Sequence, residues 1–157
     1  MKITLACLAF LGLIVAANLS LTRWGLVEIG PWLVPAGVWA AGLTFGVRDY
    51  IHERRWQVVI GLILVGALLS WWLESAPKIA VASGVAFLVS ESADMLVYEP
   101  LRRRDHRLAA LVSNGVGSAI DSALFLHLAF GGMAGFTGLF VTKWAMVLPF
   151  LLWRRRG

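Results

Sequence analysis

Glu91, Asp94, Asp121 and Lys143 lie inside long apolar stretches, where an ionisable side chain has no water to solvate it. Each acid costs about 2.5–3.5 kcal/mol near a helix centre on insertion scales, so three lying deep would cost roughly 7–10 kcal/mol before compensation. Their neighbours are spaced for a helix. Ser83, Phe87, Ser90, Glu91 and Asp94 recur at three- and four-residue intervals, which puts them on one helical face. Asn114, Ser118, Asp121 and Phe125 repeat the pattern, and Lys143 sits beside Trp144 in a further apolar stretch. Lys143 is the natural partner for at least one acid. One lysine cannot neutralise three carboxylates, however, and a purely structural bundle can be packed with Gly, Ala and Leu. The set therefore points to a polar, partly hydrated cavity that binds a solute. Upstream, Thr44, Arg48 and Asp49 precede Glu53, with Asp49 and Glu53 four residues apart. These four read equally as a cytoplasmic-side gate or as a solvated loop network beside several arginines.

Other chemistries lack their residues. His52–Glu53 begins a zincin-like pattern, but position 56 is Trp56, so no two-histidine face forms. His52, His106 and His127 lie in separate segments without metal-ligand spacing, and no metal or cofactor is expected. P-loop, nucleophile-elbow and dinucleotide fingerprints do not occur. With no nucleophile–base constellation either, the sequence gives no reason to expect an enzyme. Cys7 reads as a small buried hydrophobe of the first apolar stretch.

The elements that must hold these residues are membrane helices. The 157-residue chain is 59% hydrophobic and only 15% charged, against about 25% charged in soluble domains. Six apolar runs are expected as helices: about 3–19, 31–47, 57–73, 79–98, 108–130 and 136–153. At about 1.5 Å per residue they reach roughly 26–34 Å, matching a hydrocarbon core of about 30 Å. None alternates as a barrel strand would, so helices are the way to satisfy their backbones in lipid. Short connections make successive helices antiparallel neighbours in one all-α bundle spanning 1–157. The stretch Ser20–Gly30 is left open between an interfacial loop and a re-entrant segment.

The net charge of +5 is not a nucleic-acid patch, because the basic residues do not share one face. Lys2, then Arg48, Arg54 and Arg55, then Arg102, Arg103, Arg104 and Arg107, then Arg154, Arg155 and Arg156 all fall on one side of the six runs. The positive-inside rule puts that side, and both termini, in the cytoplasm, as expected of a multi-pass membrane protein. A cleaved signal peptide made of Lys2 and the first run is the competing reading; it would leave five spans and spoil this asymmetry. Trp24, Trp32, Trp71, Trp72 and Trp153 cluster near span ends as an aromatic belt, whereas Trp144 does not.

Three segments carry a family resemblance. They are Ala41–Asp49 (AGLTFGVRD) with Glu53, Ala82–Asp94 (ASGVAFLVSESAD) and Ser113–Ser122 (SNGVGSAIDS). The arginine block after the fourth run, the Leu126-to-Phe130 ending of the fifth and Lys143 in the sixth fit as well. From about Pro31 onward the chain resembles the putative vitamin uptake transporter family, which includes the queuosine precursor transporters. The resemblance implies import of a 7-deazaguanine such as 7-cyano-7-deazaguanine across the inner (plasma) membrane. Carboxylates suit that solute, because a guanine-like edge presents adjacent N–H donors that an ionised acid can accept side by side. Glu91, Asp94 and Asp121 are the expected acceptors, with Ser90 on the same face. Asn114 and Ser118 would read the ring's polar atoms, and Phe87, Phe125 or Trp144 would stack on the base. Lys143 would balance charge when the solute is absent. Two other classes remain: a substrate-binding membrane module that needs a separate energising partner, and a non-transporting membrane scaffold. The oligomeric state, a homo-oligomer included, is left open.

Overall fold

The computed structural model describes residues 2–73 and 77–153, so the connection at Glu74 and the tail Arg154–Arg156 lie outside the described residues. Helix α1 (Ile3–Trp24) runs five residues past the expected end and stops at Gly25, whose φ of +63° is a conformation open to glycine. The chain then makes a feature that apolarity alone did not announce. Strands β1 (Leu26–Ile29) and β2 (Trp32–Pro35) pair antiparallel, with Ile29 opposite Trp32 across Gly30 and Pro31. Gly30 takes φ +59°, the conformation a two-residue hairpin demands of its first turn residue. Ser20–Gly30 is therefore divided between the end of α1 and the first strand of the hairpin, and the helix expected from residue 31 begins at Val38 instead. Pro31 and Pro35 explain the delay, since neither can donate the N–H that a helix interior needs.

Helix α2 (Val38–Leu73) takes in residues 38–47 of the second expected run, the loop expected after it and the whole of the third run. Only Arg55 leaves helical geometry, with φ −153° and ψ 77°. That one residue reverses the chain. Gly37 is backed against the Ala17 backbone, and Asn18 Nδ2 lies 3.3 Å from Ser70 Oγ. Residues 37 and 70 would be about 50 Å apart on a straight helix. Both meet adjacent residues of α1, so residues 38–54 and 56–73 are antiparallel arms. Hydropathy falls at Arg48 but the helix does not end there, because Arg48 has buried partners on the next helix.

Helices α3 (Pro77–Leu101) and α4 (His106–Phe130) lie close to their expected bounds. Asp105 caps α4 by accepting from the N–H groups of Arg107 (2.7 Å) and Leu108 (3.2 Å). Those bonds hold its carboxyl below the ordinary range, so the cap persists at neutral pH and is lost only as pH falls through that lowered value. Gly131, in the left-handed region, ends α4. The expected last span is divided into α5 (Phe136–Ala145) and α6 (Leu148–Trp153). Pro149 is the cause: a continuous helix would ask it to donate to Ala145, and its ring would strike that carbonyl.

The helices pack with an inverted pattern of burial. Leu96 is 74% exposed and Trp72 78%, whereas Arg48, Glu91 and Asp94 are at most 1% exposed. Apolar side chains outside and charges inside suit a bilayer solvent. By length and composition α1, α2, α3 and α4 can each cross a membrane. Ala6, Phe10 and Ile14 of α1 pack on Val47, Ile51 and Ile63 from both arms of α2. At the other end Val34, Val38, Ala82, Phe125 and Leu139 form a second core beneath the hairpin. Trp32, expected in the aromatic belt, packs here instead, against Gly138, where a Cβ would come within 2.5 Å of it.

Gly37 makes the closest approach to α1, so Gly37→Ala should lower the stability of the purified protein by about 1–3 kcal/mol through overpacking. Thermal unfolding in detergent would measure it, and an unchanged midpoint would contradict the contact that defines the reversal of α2.

Candidate functional site

The inward faces of α3 and α4 carry the polar residues, and small side chains let these helices approach. A Cβ on Gly117 would stand 3.0 Å from the Asp94 side chain and 3.1 Å from the Phe45 ring. Ser90, Ser113, Ser118 and Ser122 are all fully buried on these faces. Between them and the first arm of α2 lies a cluster built on Arg48. Its Nη2 is 2.5 Å from Asp94 Oδ2 and 2.8 Å from Asp49 Oδ1. Its Nη1 is 3.5 Å from both Glu91 Oε2 and the Glu91 carbonyl oxygen. Asn114 Nδ2 donates to Asp49 Oδ2 at 2.8 Å.

One guanidinium thus faces three carboxylates. The ion pairs are close, but several are not aligned as hydrogen bonds. Both Glu91 oxygens, both Asp94 oxygens and Asp49 Oδ1 have no hydrogen-bonding partner among the described residues. Three ionised acids here would exceed what one guanidinium balances, and a protein interior solvates such an excess poorly.

A separate cavity lies toward the hairpin. Its volume is about 90 Å³, room for several waters. Leu21, Pro35 and Val38 bound it at the hairpin end, and Asn18, Ser70 and Thr44 contribute polar atoms. Phe45, Phe87 and Phe125 supply aromatic walls. Asp121 and Lys143 reach it from α4 and α5, and the two side chains form an ion pair. Ser90 Oγ donates to the Phe87 carbonyl at 3.1 Å and lies 3.5 Å from Asp121 Oδ1, joining the cavity to the helix face that carries Glu91.

The residues singled out in the sequence therefore divide. Phe87, Asp121, Phe125, Lys143 and Thr44 line the cavity. Glu91, Asp94 and Asn114 do not; they belong to the Arg48 cluster. Ser118 is buried with no hydrogen-bonding partner for its hydroxyl among the described residues and lies outside the cavity lining. Trp144, expected as one of three possible stacking partners, lies outside the cavity lining. Lys143 points inward, so its successor, about 100° around the helix, points out: Trp144 is 37% exposed, stacks on Phe140 and donates to the Leu111 carbonyl at 2.9 Å. Arg48 and Asp49 are not in a solvated loop but at the centre of the bundle. Sequence reasoning passed over Asn18 and Ser70. Ser70 is an isolated polar side chain in an otherwise apolar run, whereas Asn18 is followed closely by Ser20 and Thr22 and stands out less.

At the arginine end a second network closes the bundle. His52 Nε2 is 2.8 Å from Glu99 Oε2, and Arg102 makes two 2.7 Å bonds to the same carboxylate. These bonds hold the Arg102 guanidinium charged even more firmly than usual. Tyr98 Oη donates to Glu53 Oε1 at 2.6 Å, and His106 Nδ1 approaches that carboxylate at 3.4 Å. Glu53 thus sits in this outer network, apart from the Arg48 cluster.

Removing the cation should be costly. Arg48→Met leaves three buried acids without their counter-charge, a loss of about 3–5 kcal/mol. Adding Asp94→Asn should recover part of that loss. Folded yield and thermal midpoint in detergent for the single and double variants would check both statements.

The family described as putative vitamin uptake transporter matches residues 39–152, from the first turn of α2 into α6. No curated protein and no solved structure matches the chain. The matched stretch holds Arg48, Asp49, Glu91, Asp94, Asp121 and Lys143, every charged group of the cavity and the cluster, and the chain is accordingly a multi-pass membrane protein that belongs to the putative vitamin uptake transporter family.

Proposed function

We propose that this protein imports a small planar heterocycle, a 7-deazaguanine queuosine precursor such as 7-cyano-7-deazaguanine, across the plasma membrane, and that the hairpin-end cavity is its solute site. The observation that carries the reading is the Asp121–Lys143 ion pair set among Phe45, Phe87 and Phe125. A guanine-like edge presents two adjacent donors and then a carbonyl. Asp121 accepts from the donors, Lys143 donates to the carbonyl, and the ion pair that balances the empty site opens to receive both. A ring stacked on phenylalanine gains roughly 1–3 kcal/mol by analogy with nucleobase stacking in single strands. Asn18 and Ser70 add adaptable donors and acceptors from α1 and the second arm of α2.

Six crossings complete the reading: α1, the two arms of α2, α3, α4, and α5 with α6. The positive-inside rule then puts the arginine end and both termini in the cytoplasm, so the cavity faces outward and the Arg48 cluster with the His52–Glu99 network closes the inner side. The whole chain serves as one transmembrane domain.

Cells unable to synthesise 7-cyano-7-deazaguanine provide the test. Supplied with the base, they should regain queuosine in their tRNA only when this chain is expressed. Uptake by the purified protein in liposomes would show that no energising partner is needed. Asp121→Asn should weaken binding of the base about tenfold or more, the effect of an unmatched donor pair worth about 1–3 kcal/mol. Asp121→Ala should abolish uptake with the protein still inserted, and retained uptake would remove the site assignment.

A further inference from the structure

The Arg48 cluster is buried, sets three acids against one cation and lies outside the solute cavity, so the solute reading leaves it unused. The groups facing Glu91 account for the imbalance. From α2 come Arg48 and Asp49, and Asp94 is on its own helix. From α4 come Asp121 and the neutral Asn114, and α5 brings Lys143, which is engaged by Asp121. Helix α1 has no acidic residue, and its one internal cation, Arg23, lies in its last turn. Arg48 can balance one carboxylate of three. Glu91 is fully buried, and neither of its oxygens has a hydrogen-bonding partner among the described residues.

Titratable side chains also continue from the cavity to the arginine end. Asp121 stands in the cavity, with Ser90 reaching it from the helix of Glu91 and Asp94. Asp49 shares Arg48 with those two acids, and Glu53 lies one turn further along α2. Glu53 meets His106, and His52 meets Glu99, where the bundle ends.

We propose that the Arg48–Asp49–Glu91–Asp94 cluster is a proton site that couples solute import to proton entry, with Glu91 as the carboxylate that takes up and releases the proton. This rests on the transport reading above. A proton from water in the cavity bonds to a Glu91 carboxylate oxygen, giving the neutral acid and removing one excess negative charge. On release it passes to water at the arginine end, by way of Asp49 and Glu53, and Glu91 returns to carboxylate. A proton suits this site better than a metal cation. Arg48 already occupies the middle of the cluster, and the described residues contain no group of three side chains arranged to hold a metal ion.

Proteoliposomes carrying the intact protein test the proposal, with 7-cyano-7-deazaguanine as solute. A gradient of one pH unit, acidic outside, should drive up to about tenfold accumulation if one proton accompanies each solute. Glu91→Gln should abolish that accumulation while solute exchange across the membrane at equal pH continues, and Glu91→Asp should restore part of it. Accumulation by Glu91→Gln equal to the parent, or driving by a sodium gradient instead of a pH gradient, would overturn the proposal. A parent protein that neither binds nor exchanges the base would refute the solute assignment instead. Infrared difference spectra against pH then decide the proton site without solute. A protonated-carboxyl band present in the parent and in Glu91→Asp, and missing from Glu91→Gln, is expected; an identical band in all three would dispose of Glu91 as the carrier.

Discussion

An arginine removed from water at the centre of an apolar bundle imposes more on this structure than any other group. Arg48 is 1% exposed and must find its counter-charges within reach of its own side chain. Asp49 on the same helix and Glu91 and Asp94 on α3 supply them. Meeting that demand fixes which face of α3 turns inward and holds the first arm of α2 against it. It also brings α4 close enough that a Cβ on Gly117 would stand only 3.0 Å from the Asp94 side chain. The exterior follows from the same condition. With the charges collected inside, the surface is left to side chains such as Leu96 and Trp72, which lipid solvates and water does not.

The interior is organised in two levels. Toward the hairpin, the second core and the ion pair of Asp121 with Lys143 surround a cavity with aromatic walls. Toward the arginine end, the Arg48 cluster and then the His52–Glu99–Arg102 network fill the bundle. The hairpin is tied to the first level through α5, where Gly135 and Gly138 lie against Leu33, Trp32 and Val34. Helix α5 also carries Lys143, so the cap of the bundle and the cation of the cavity belong to one packed unit. The break before Pro149 keeps α5 short enough to form that unit by itself.

Much of this was legible in the residues. The bounds of α4 were nearly those expected, because its apolar run coincides with an Asp105 cap and a Gly131 stop. Asp121 and Lys143 were marked as candidate partners by the cost of isolated charges in lipid, and they do pair. The inward faces of α3 and α4 followed from three- and four-residue spacing. Arg48 misled for a physical reason: hydropathy treats a charge as the end of a span, whereas a charge with partners on the next helix continues inside it. The hairpin escaped because most of its residues are as apolar as the helices around them. Glu28 lowers hydropathy there without saying what the backbone does, and the strand pairing rests on Gly30, Pro31 and Pro35, through dihedral angles and missing donors that hydropathy does not register.

By itself the sequence determined the solvent, the helical class, the inward faces and the family, since each depends on composition or on spacing along one segment. Only the tertiary structure decided which acid meets which cation, and so divided Asp121 from Glu91 and Asp94, the cavity from the cluster. It also decided that Asn18 and Ser70 join the cavity and that Trp144 leaves it. Those outcomes depend on how α2 doubles back at Arg55 and on how far each helix is rotated against its neighbours. A helix carries its own periodicity in its residues, but its rotation against a partner is set by the packing of both.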